Sequence, residues 1–346
     1  MSDIQDKQYH DYEIEDIQYP EGSVVLIFDL DTIIYPTASA QDKTSIVVKG
    51  RTEDRSYKNR TEFKKVCKEN DWNYDIFTIE DTVNAAPVHI CYAVFKKTIE
   101  KYIKELGATH CEYYLGGSNN FRDTLPLPVQ YKSNRKKTRR PTHLKALQLY
   151  ALKTYSAKKI CGMECDDFVS IRMLEVNKQK NVKAILITTD KDSLQSFTSE
   201  GYVYKQGVLY HLNSTLGELH IEGKGAKTSV KGSGLKWLIT QALIVGDSTD
   251  EYLPRKHFKT SYGEKSWYKD VKDIEDVPTF LKFSIDKFIE LVGTSTTYTD
   301  YTGKEQNLTW LELAEIYWSC AYMKTKVNDT TTFEDLLKQH NVEYKV

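Results

Sequence analysis

None of the six cysteines in this 346-residue chain belongs to a Cys-x-x-Cys pair, and none is spaced with histidine as a zinc ligand set. That absence excludes a disulfide framework and a structural zinc, and makes reduced, mostly buried thiols the expectation. Cys161 and Cys165 flank Glu164, a spacing that reflects packing more often than redox chemistry. Long apolar runs are missing as well. The longest near the N-terminus, Val24 to Phe28, is far short of the roughly 20 residues that a membrane helix needs. The first residues are acidic and tyrosine-rich, with no basic segment leading into an apolar one, so nothing marks the chain for secretion. We expect a cytoplasmic protein that does not engage a membrane. Internal repeats and low-complexity tracts are absent too.

A hydrophobic fraction of 40% is enough for a globular core, and the length suits one large domain or two ordinary ones. Net charge is only -1, so the whole chain is no basic nucleic-acid binder, but the basic residues are unevenly placed. Tyr131 to Lys145 holds seven Lys or Arg and no acid, and Gly223 to Lys236 holds four Lys, four Gly and no acid. Basic patches against an acidic background are the pattern of an anion-binding cleft.

Residues 1–21 show no strong period and are expected to form a loose lead-in. Ser23 to Leu30 reads as a buried strand ending on carboxylates. The polar stretch that follows, to about residue 80, gives no clear signal. Val88 to Leu106 repeats apolar residues at helical spacing and stops at Gly107. Cys111 to Leu115 reads as a strand, and Pro141 predicts a helix launched from its first turn. Glu164 to Lys180 predicts a helix opening on acids, whose charge the helix N-terminus favours. Val182 to Thr189 is the clearest strand. Strand, helix, strand order predicts an α/β fold with a central, mainly parallel sheet flanked by helices. Beyond residue 200 we expect two tyrosine-rich strands, a glycine and lysine loop at 223–234, and helices at Leu235 to Val245, Thr279 to Leu291 and Leu308 to Met323. That divides the chain into an α/β core, 1–200, and a mainly helical part, 201–346. Trp310, Tyr317 and Trp318 fall at helical spacing and belong in a core.

Acids gather where strands and turns end: Asp29 and Asp31; Glu164, Asp166 and Asp167; Asp190 and Asp192; Asp247 and Asp250. In an open parallel sheet the ligand crevice lies beyond the carboxyl ends of the strands. Carboxylates brought together there raise one another's pKa, and bound cations relieve the repulsion. Hard Mg²⁺ ions prefer oxygen ligands, and a pair of them suits in-line phosphoryl transfer. Taken singly, each pair of acids is ordinary loop or capping chemistry. Their combination with a basic stretch between the first and second groups points to phosphodiester hydrolysis. That stretch reads Asn120-Phe121-Arg122, then Tyr131-Lys132-Ser133-Asn134-Arg135. Arginine can clamp a phosphate, lysine can place a point charge, and an aromatic can stack on a base. Lys136 to Arg140 is explained as a solvated charge run.

The order of these motifs resembles the 5′-to-3′ exonuclease and flap endonuclease family, a PIN-like 5′ nuclease group, and especially its bacteriophage members. Phe28-Asp29-Leu30-Asp31, Asn-Phe-Arg with Tyr-Lys-x-Asn-Arg, Glu164-Cys165-Asp166-Asp167, Thr189-Asp190-Lys191-Asp192 and Gly246-Asp247-Ser248-Thr249-Asp250 carry it, over residues 24 to about 270. The resemblance implies a two-metal Mg²⁺ enzyme, with Mn²⁺ as a substitute. Asp29, Glu164 and Asp166 would surround one ion; Asp167, Asp190, Asp192 and Asp247 would lie near the other, with Asp250 in support. By the same carry-over Lys132 and Arg135 hold the reacting phosphate, Arg122 joins the catalytic set, and Tyr131 stacks near the 5′ end. A helical hairpin around 240–272 would grip duplex backbone with a K⁺ ion, although Tyr262-Gly263-Glu264-Lys265-Ser266 matches its Gly-x-Lys part loosely. The implied partner is DNA with 5′ ends, nicks or flaps, and RNA–DNA hybrid is a further candidate. A phage-encoded enzyme would work in replication, recombination or primer removal in the host cytoplasm.

Two departures bear on that expectation. Relatives carry an Asp shortly before the Phe-Arg, where this chain has Gly116 and Gly117; Asp31 is the candidate substitute, since alternate residues at a strand end share a face. Only 32 residues separate Tyr131 from Glu164, where flap-cutting relatives often build a long helical arch, so we expect exonuclease action over flap cutting. Two rivals stay open. In a haloacid dehalogenase-type phosphatase Asp29 would be the nucleophile, and a catalytically silent DNA-binding protein would bind without cleavage. Gly223-Lys224-Gly225-Ala226-Lys227-Thr228 is similar to a phosphate loop but lacks its last glycine and is read as flexible.

Overall fold

The computed structural model describes residues 17–50, 53–195, 200–223, 225 and 228–345, and of Lys137 the backbone alone. Most of the lead-in and Lys224, Ala226 and Lys227 of the glycine and lysine loop lie outside the described residues. Contacts divide the chain into two compact units. The first holds residues 17–30, 106–138 and 158–345, and the second holds 31–105 and 139–157.

In the first unit a six-stranded sheet runs in the order β6-β5-β1-β7-β8-β9. Its strands are β1 (Val24–Asp29), β5 (His110–Gly116), β6 (Lys158–Ile160), β7 (Lys183–Ile187), β8 (Gly201–Lys205) and β9 (Val208–Leu212). All pairings are parallel except β8 with β9. β1 is apolar throughout until Asp29 because neighbours cover it on both sides and both faces, as central parallel strands require. Helix α5 (Cys165–Asn177) joins β6 to β7. It is buried almost all round, with Phe168, Val169, Ile171, Met173 and Leu174 packed on Val25, Ile27, Ala184 and Leu186. Since β5 and β6 lie to one side of β1 and β7 and β8 to the other, the strand order reverses at β1. The ligand crevice of an open parallel sheet lies at such a reversal.

The rest of this unit forms a second core around Trp267, Trp310 and Trp318, with Tyr317 also sequestered. α6 (Gly234–Ile239), α7 (Glu264–Val271), α8 (Val277–Val292), α9 (Trp310–Ala321) and α10 (Phe333–Gln339) build it. Their ends are locally encoded: Asp276 caps α8, and Thr309 with Glu312 forms a capping box on α9. α9 begins later than the apolar spacing predicts, because Leu308 and Thr309 end the strand β13 (Glu305–Thr309), paired with β12 (Ser295–Thr299). The loop expected at 223–234 is shorter than predicted, because Ser229–Gly232 forms the strand β11, which pairs in a hairpin with β10 (Leu219–Glu222), and α6 already begins at Gly234.

The second unit resolves the stretch that the sequence left unread. β2 (Asp42–Val48), β3 (Arg55–Tyr57) and β4 (Ile79–Ala85) form an antiparallel sheet in the order β3-β2-β4. α2 (Arg60–Glu69) packs Phe63 and Cys67 on Ile46 and Val48. α1 (Asp31–Ala40) and α3 (Val88–Leu106) complete it with α4 (Leu144–Thr154), and Tyr92 of α3 stacks on Tyr150 of α4 at 4.5 Å between ring centroids. α3 has the predicted bounds, and Gly107 follows it in the left-handed region at φ +63°. Pro141 does not occupy the first turn of α4. It stands ahead of the helix, and its carbonyl accepts the Leu144 N–H at 3.2 Å. Arg139 is no purely solvated charge; it pairs with Asp42 of β2. The six cysteines form no disulfide among the described residues. No helix among the described residues is long and apolar enough to cross a membrane.

Candidate metal centre and its cationic clamp

Asp29 ends β1, and its carboxylate stands 3.5 Å from the Thr188 hydroxyl just past β7. Asp166 lies in the first turn of α5, and Asp190 follows β7. Asp190 is set by a local turn: its N–H donates to Thr188 Oγ1 at 3.0 Å, while its own Oδ1 accepts the Asp192 N–H at 2.7 Å. Burial pushes the Asp166 carboxyl far up, and Asp29, Asp190 and Glu164 reinforce the shift. Burial also raises Asp192, to about 8, with Asp190, Asp247 and Asp250 adding repulsion against the opposing pull of Lys191. Asp190 thus belongs to both carboxylate groups. Within the second, Asp192 Oδ1 is buried with no hydrogen-bond partner among the described residues.

Asp247 arrives from a different direction. A π-helical turn, Thr240–Val245, continues α6 and ends at Gly246, whose φ is +69°. A Cβ there would lie 2.1 Å from the Tyr252 carbonyl, so only glycine fits. The chain then closes a small loop in which the Asp247 N–H donates to Tyr252 O at 2.8 Å and the Tyr252 N–H returns to Asp247 O at 3.1 Å. Burial opposes ionisation of Asp247, but Lys191 at 2.9 Å and the Thr249 N–H at 2.6 Å leave its pKa lowered.

This loop is gripped by the Tyr-Lys-x-Asn-Arg segment. Lys132 has a left-handed backbone, φ +55°, and its N–H donates to Asp250 O at 3.0 Å. Its ammonium pairs with Glu164 and lies 3.4 Å from Asp250 Oδ2. Arg135 donates to Asp250 Oδ1 at 2.8 Å while its side chain stays 58% exposed. Asn134 donates its amide to Thr249 O at 2.9 Å and its backbone N–H to Glu251 Oε2 at 2.7 Å, and Ser133 also donates to Glu251. Burial disfavours the charge of Lys132, but Glu164 and Asp250 more than compensate and hold the ammonium firmly protonated. Glu164 is half-buried, yet Arg122 and Lys132 keep it below the usual carboxylate range. Burial dominates at Asp250, which is raised in spite of Lys132 and Arg135.

Three expected site residues take other positions. Arg122 is only 1% exposed, so it offers no surface to a phosphate. Its guanidinium donates to both oxygens of Asp167, to Glu164 Oε2, and to the carbonyls of Ser319, Cys320 and Tyr322. Asp167, fully buried, receives that fork and the Lys324 N–H at 3.1 Å, and is an internal counter-ion. Tyr131 is 4% exposed and therefore presents no open face for base stacking. Its hydroxyl donates toward Glu164 at 3.2 Å or Asp250 at 3.1 Å, while its ring lies near Tyr252 and beneath Lys132. Asp31, two residues beyond Asp29, opens α1 and stays a candidate ligand.

Gly117 has a steric reason. A Cβ at this position would lie 2.3 Å from the Ile160 carbonyl and 2.4 Å from Cys161 Sγ, so β6 forbids a carboxylate there. Glu251 and Lys191 are the site residues that sequence reading passed over. Lys191 stands inside the Thr189-Asp190-Lys191-Asp192 motif, where its charge, opposite to that of Asp247, was the available signal, and Glu251 directly follows the Gly246 to Asp250 motif.

No family model matches the chain, and no curated protein does. Among solved structures the chain is similar to a T5 5′-exonuclease mutant, at a TM-score of 0.44 and 13% identity over 88% of this chain and 89% of that one. It is similar also to the bacteriophage T5 flap endonuclease in a pseudo-enzyme-product complex with DNA and metal ions, at 0.46 and 14% over 87% and 90%.

Proposed function

We propose that the chain is a divalent-metal-dependent nuclease that hydrolyses phosphodiester bonds of DNA from 5′ ends. The observation that carries this reading is the pair of repelling carboxylate groups that share Asp190 at the carboxyl end of a parallel sheet, beside a cationic segment locked to the Asp250 loop. The donors are all hard oxygens, and Asp192 Oδ1 is a buried acceptor with no hydrogen-bond partner among the described residues. The residues therefore fit Mg²⁺, with Mn²⁺ as a substitute. Asp29, Asp166 and Asp190 would hold one ion and Asp190, Asp192 and Asp247 the other. Such ions supply charge to offset the developing phosphorane and lower the pKa of water.

The chain's own groups do the rest. Arg135, mostly exposed yet anchored through Asp250, is placed to meet a strand's phosphate from outside. Lys132 forms the inner positive wall, oriented by its left-handed backbone and by Glu164. Tyr131 and the Arg122–Asp167 pair hold Glu164 in place and serve as supports for the clamp. A helical hairpin around 240–272 would grip duplex backbone, and the short segment between Tyr131 and Glu164 favours trimming of 5′ ends over threading of long flaps.

The test is a panel of 5′-labelled duplexes with blunt ends, nicks, gaps or flaps, incubated with Mg²⁺ or with chelator, alongside an aryl phosphate. We expect short 5′ products in Mg²⁺, none in chelator and none with Asp190→Asn. Rapid aryl phosphate turnover without DNA cleavage would make the protein a phosphatase, and salt-sensitive DNA binding without cleavage would make it a binder. Mostly long excised flaps would place it among flap cutters.

A further inference from the structure

Beyond the carboxylates a groove of about 460 Å³ runs along the β8–β9 and β10–β11 hairpins. Asp190 and Asp247 line it, as do Lys205, Lys231 and Tyr210. Its size is that of a small-ligand site, for which roughly 300–1,000 Å³ is usual. Its cations fall into two kinds. Lys191 is committed to Asp247 and Gln241, and Arg135 to Asp250. Lys205 and Lys231 differ: no ion pair or side-chain hydrogen bond joins either ammonium to another described residue. Burial of Lys205, together with the repulsion of Lys231, depresses its pKa, with Asp190 pulling the other way. Two uncommitted ammonium groups that repel each other across one cavity are best satisfied by a multiply charged anion.

Strand ends and strand interiors differ in that respect. A terminal phosphate monoester carries about -1.5 to -2 charges at neutral pH, because its second pKa is near 6, whereas an internal diester carries a single charge. Tyr210 lines the same groove with 36% of its surface open, so an aromatic face is available to a base.

We propose that this groove seats the 5′-terminal nucleotide of a nucleic acid, with Lys205 and Lys231 receiving its terminal phosphate monoester and Tyr210 lying against its base. The inference rests on the reading of the carboxylate centre as a 5′ nuclease, and adds that the enzyme distinguishes phosphorylated from unphosphorylated ends.

The experiment compares kcat/KM in Mg²⁺ on 3′-labelled duplexes with 5′-phosphate or 5′-hydroxyl ends, for the wild type, Lys205→Ala/Lys231→Ala and Lys205→Arg/Lys231→Arg. The wild type should prefer the phosphorylated end by about tenfold or more, as expected for charge-assisted bonds to a dianion. The alanine pair should bring the ratio close to one by slowing only the phosphorylated substrate, and the arginine pair should restore most of the preference. Equal wild-type rates on the two ends, or an alanine pair that slows both alike, would overturn the proposal. A second measurement does not need cleavage. With Ca²⁺ in place of Mg²⁺, calorimetry should show thymidine 5′-monophosphate binding to the wild type and about tenfold weaker to the alanine pair, with thymidine weaker than the monophosphate on the wild type. Monophosphate binding that the alanine pair retains in full, or no binding by the wild type, sinks the subsite. The expected binding pattern without cleavage of either duplex keeps the subsite and removes the nuclease reading instead.

Discussion

Arg122 and Asp167 form a two-pronged ion pair, with Nη1 to Oδ2 at 2.6 Å and Nη2 to Oδ1 at 3.1 Å, and both side chains are closed to solvent. The pair connects the start of α5 to the end of α9 through the Ser319, Cys320 and Tyr322 carbonyls. Removing one partner leaves a buried charge uncompensated, which typically costs about 3–5 kcal/mol. Asp167→Ala should therefore lower stability by that order in urea melts, whereas Arg122→Met/Asp167→Leu should recover much of the loss. A stable Asp167→Ala protein with weakened Mg²⁺ binding would return Asp167 to the ligand set.

Asp190 is the carboxylate shared by both repelling groups, so its charge matters twice. Asp190→Asn should raise the melting temperature of the metal-free protein, because repulsion with Asp166 and Asp192 is relieved. It should at the same time cut nuclease activity by on the order of 100-fold or more. A lower metal-free melting temperature would contradict the electrostatic account.

Asp192 gives the pH dependence a definite sign. An ordinary aspartate titrates near 3.8, and burial with Asp190 raises Asp192 to about 8 in the folded protein. Between those values the folded state holds a proton that the unfolded state has released, so this carboxylate makes the metal-free protein less stable as pH rises from about 4 to 8. Mg²⁺ must displace that proton. Calorimetric titrations in buffers of different ionisation enthalpy should show proton release on binding at pH 7, and less at pH 9. Binding with no proton release at pH 7 would refute the shared-charge picture.

Gly117 cannot be restored to an acid. Because the Ile160 carbonyl and Cys161 Sγ occupy the space of a Cβ, Gly117→Asp should destabilise the fold by about 1–3 kcal/mol, and should not improve Mg²⁺ affinity. Tighter Mg²⁺ binding by a stable Gly117→Asp protein would show that the first metal site lacks a ligand.

Much of the scaffold was legible because its signals are local. The apolar run of β1 ending on Asp29, the helical spacing of α3 with Gly107 after it, and the acids opening α5 each depend on neighbours within a few residues. The second unit was illegible for the opposite reason: the polar, exposed or half-buried residues of the central strand β2 and of its neighbours β3 and β4 read as loop until a sheet collects them.

The sequence by itself determined which residue types could meet: acids at strand ends, a Tyr-Lys-x-Asn-Arg cluster, and a glycine before Asp247. Only the tertiary structure decided their employment. Charge and motif position do not distinguish an arginine that faces a phosphate from one that neutralises a carboxylate inside the protein. Burial made that choice, because a guanidinium sealed from water must spend its donors on Asp167, Glu164 and nearby carbonyls, whereas Arg135, anchored by one oxygen of Asp250 and otherwise open, keeps donors for a ligand.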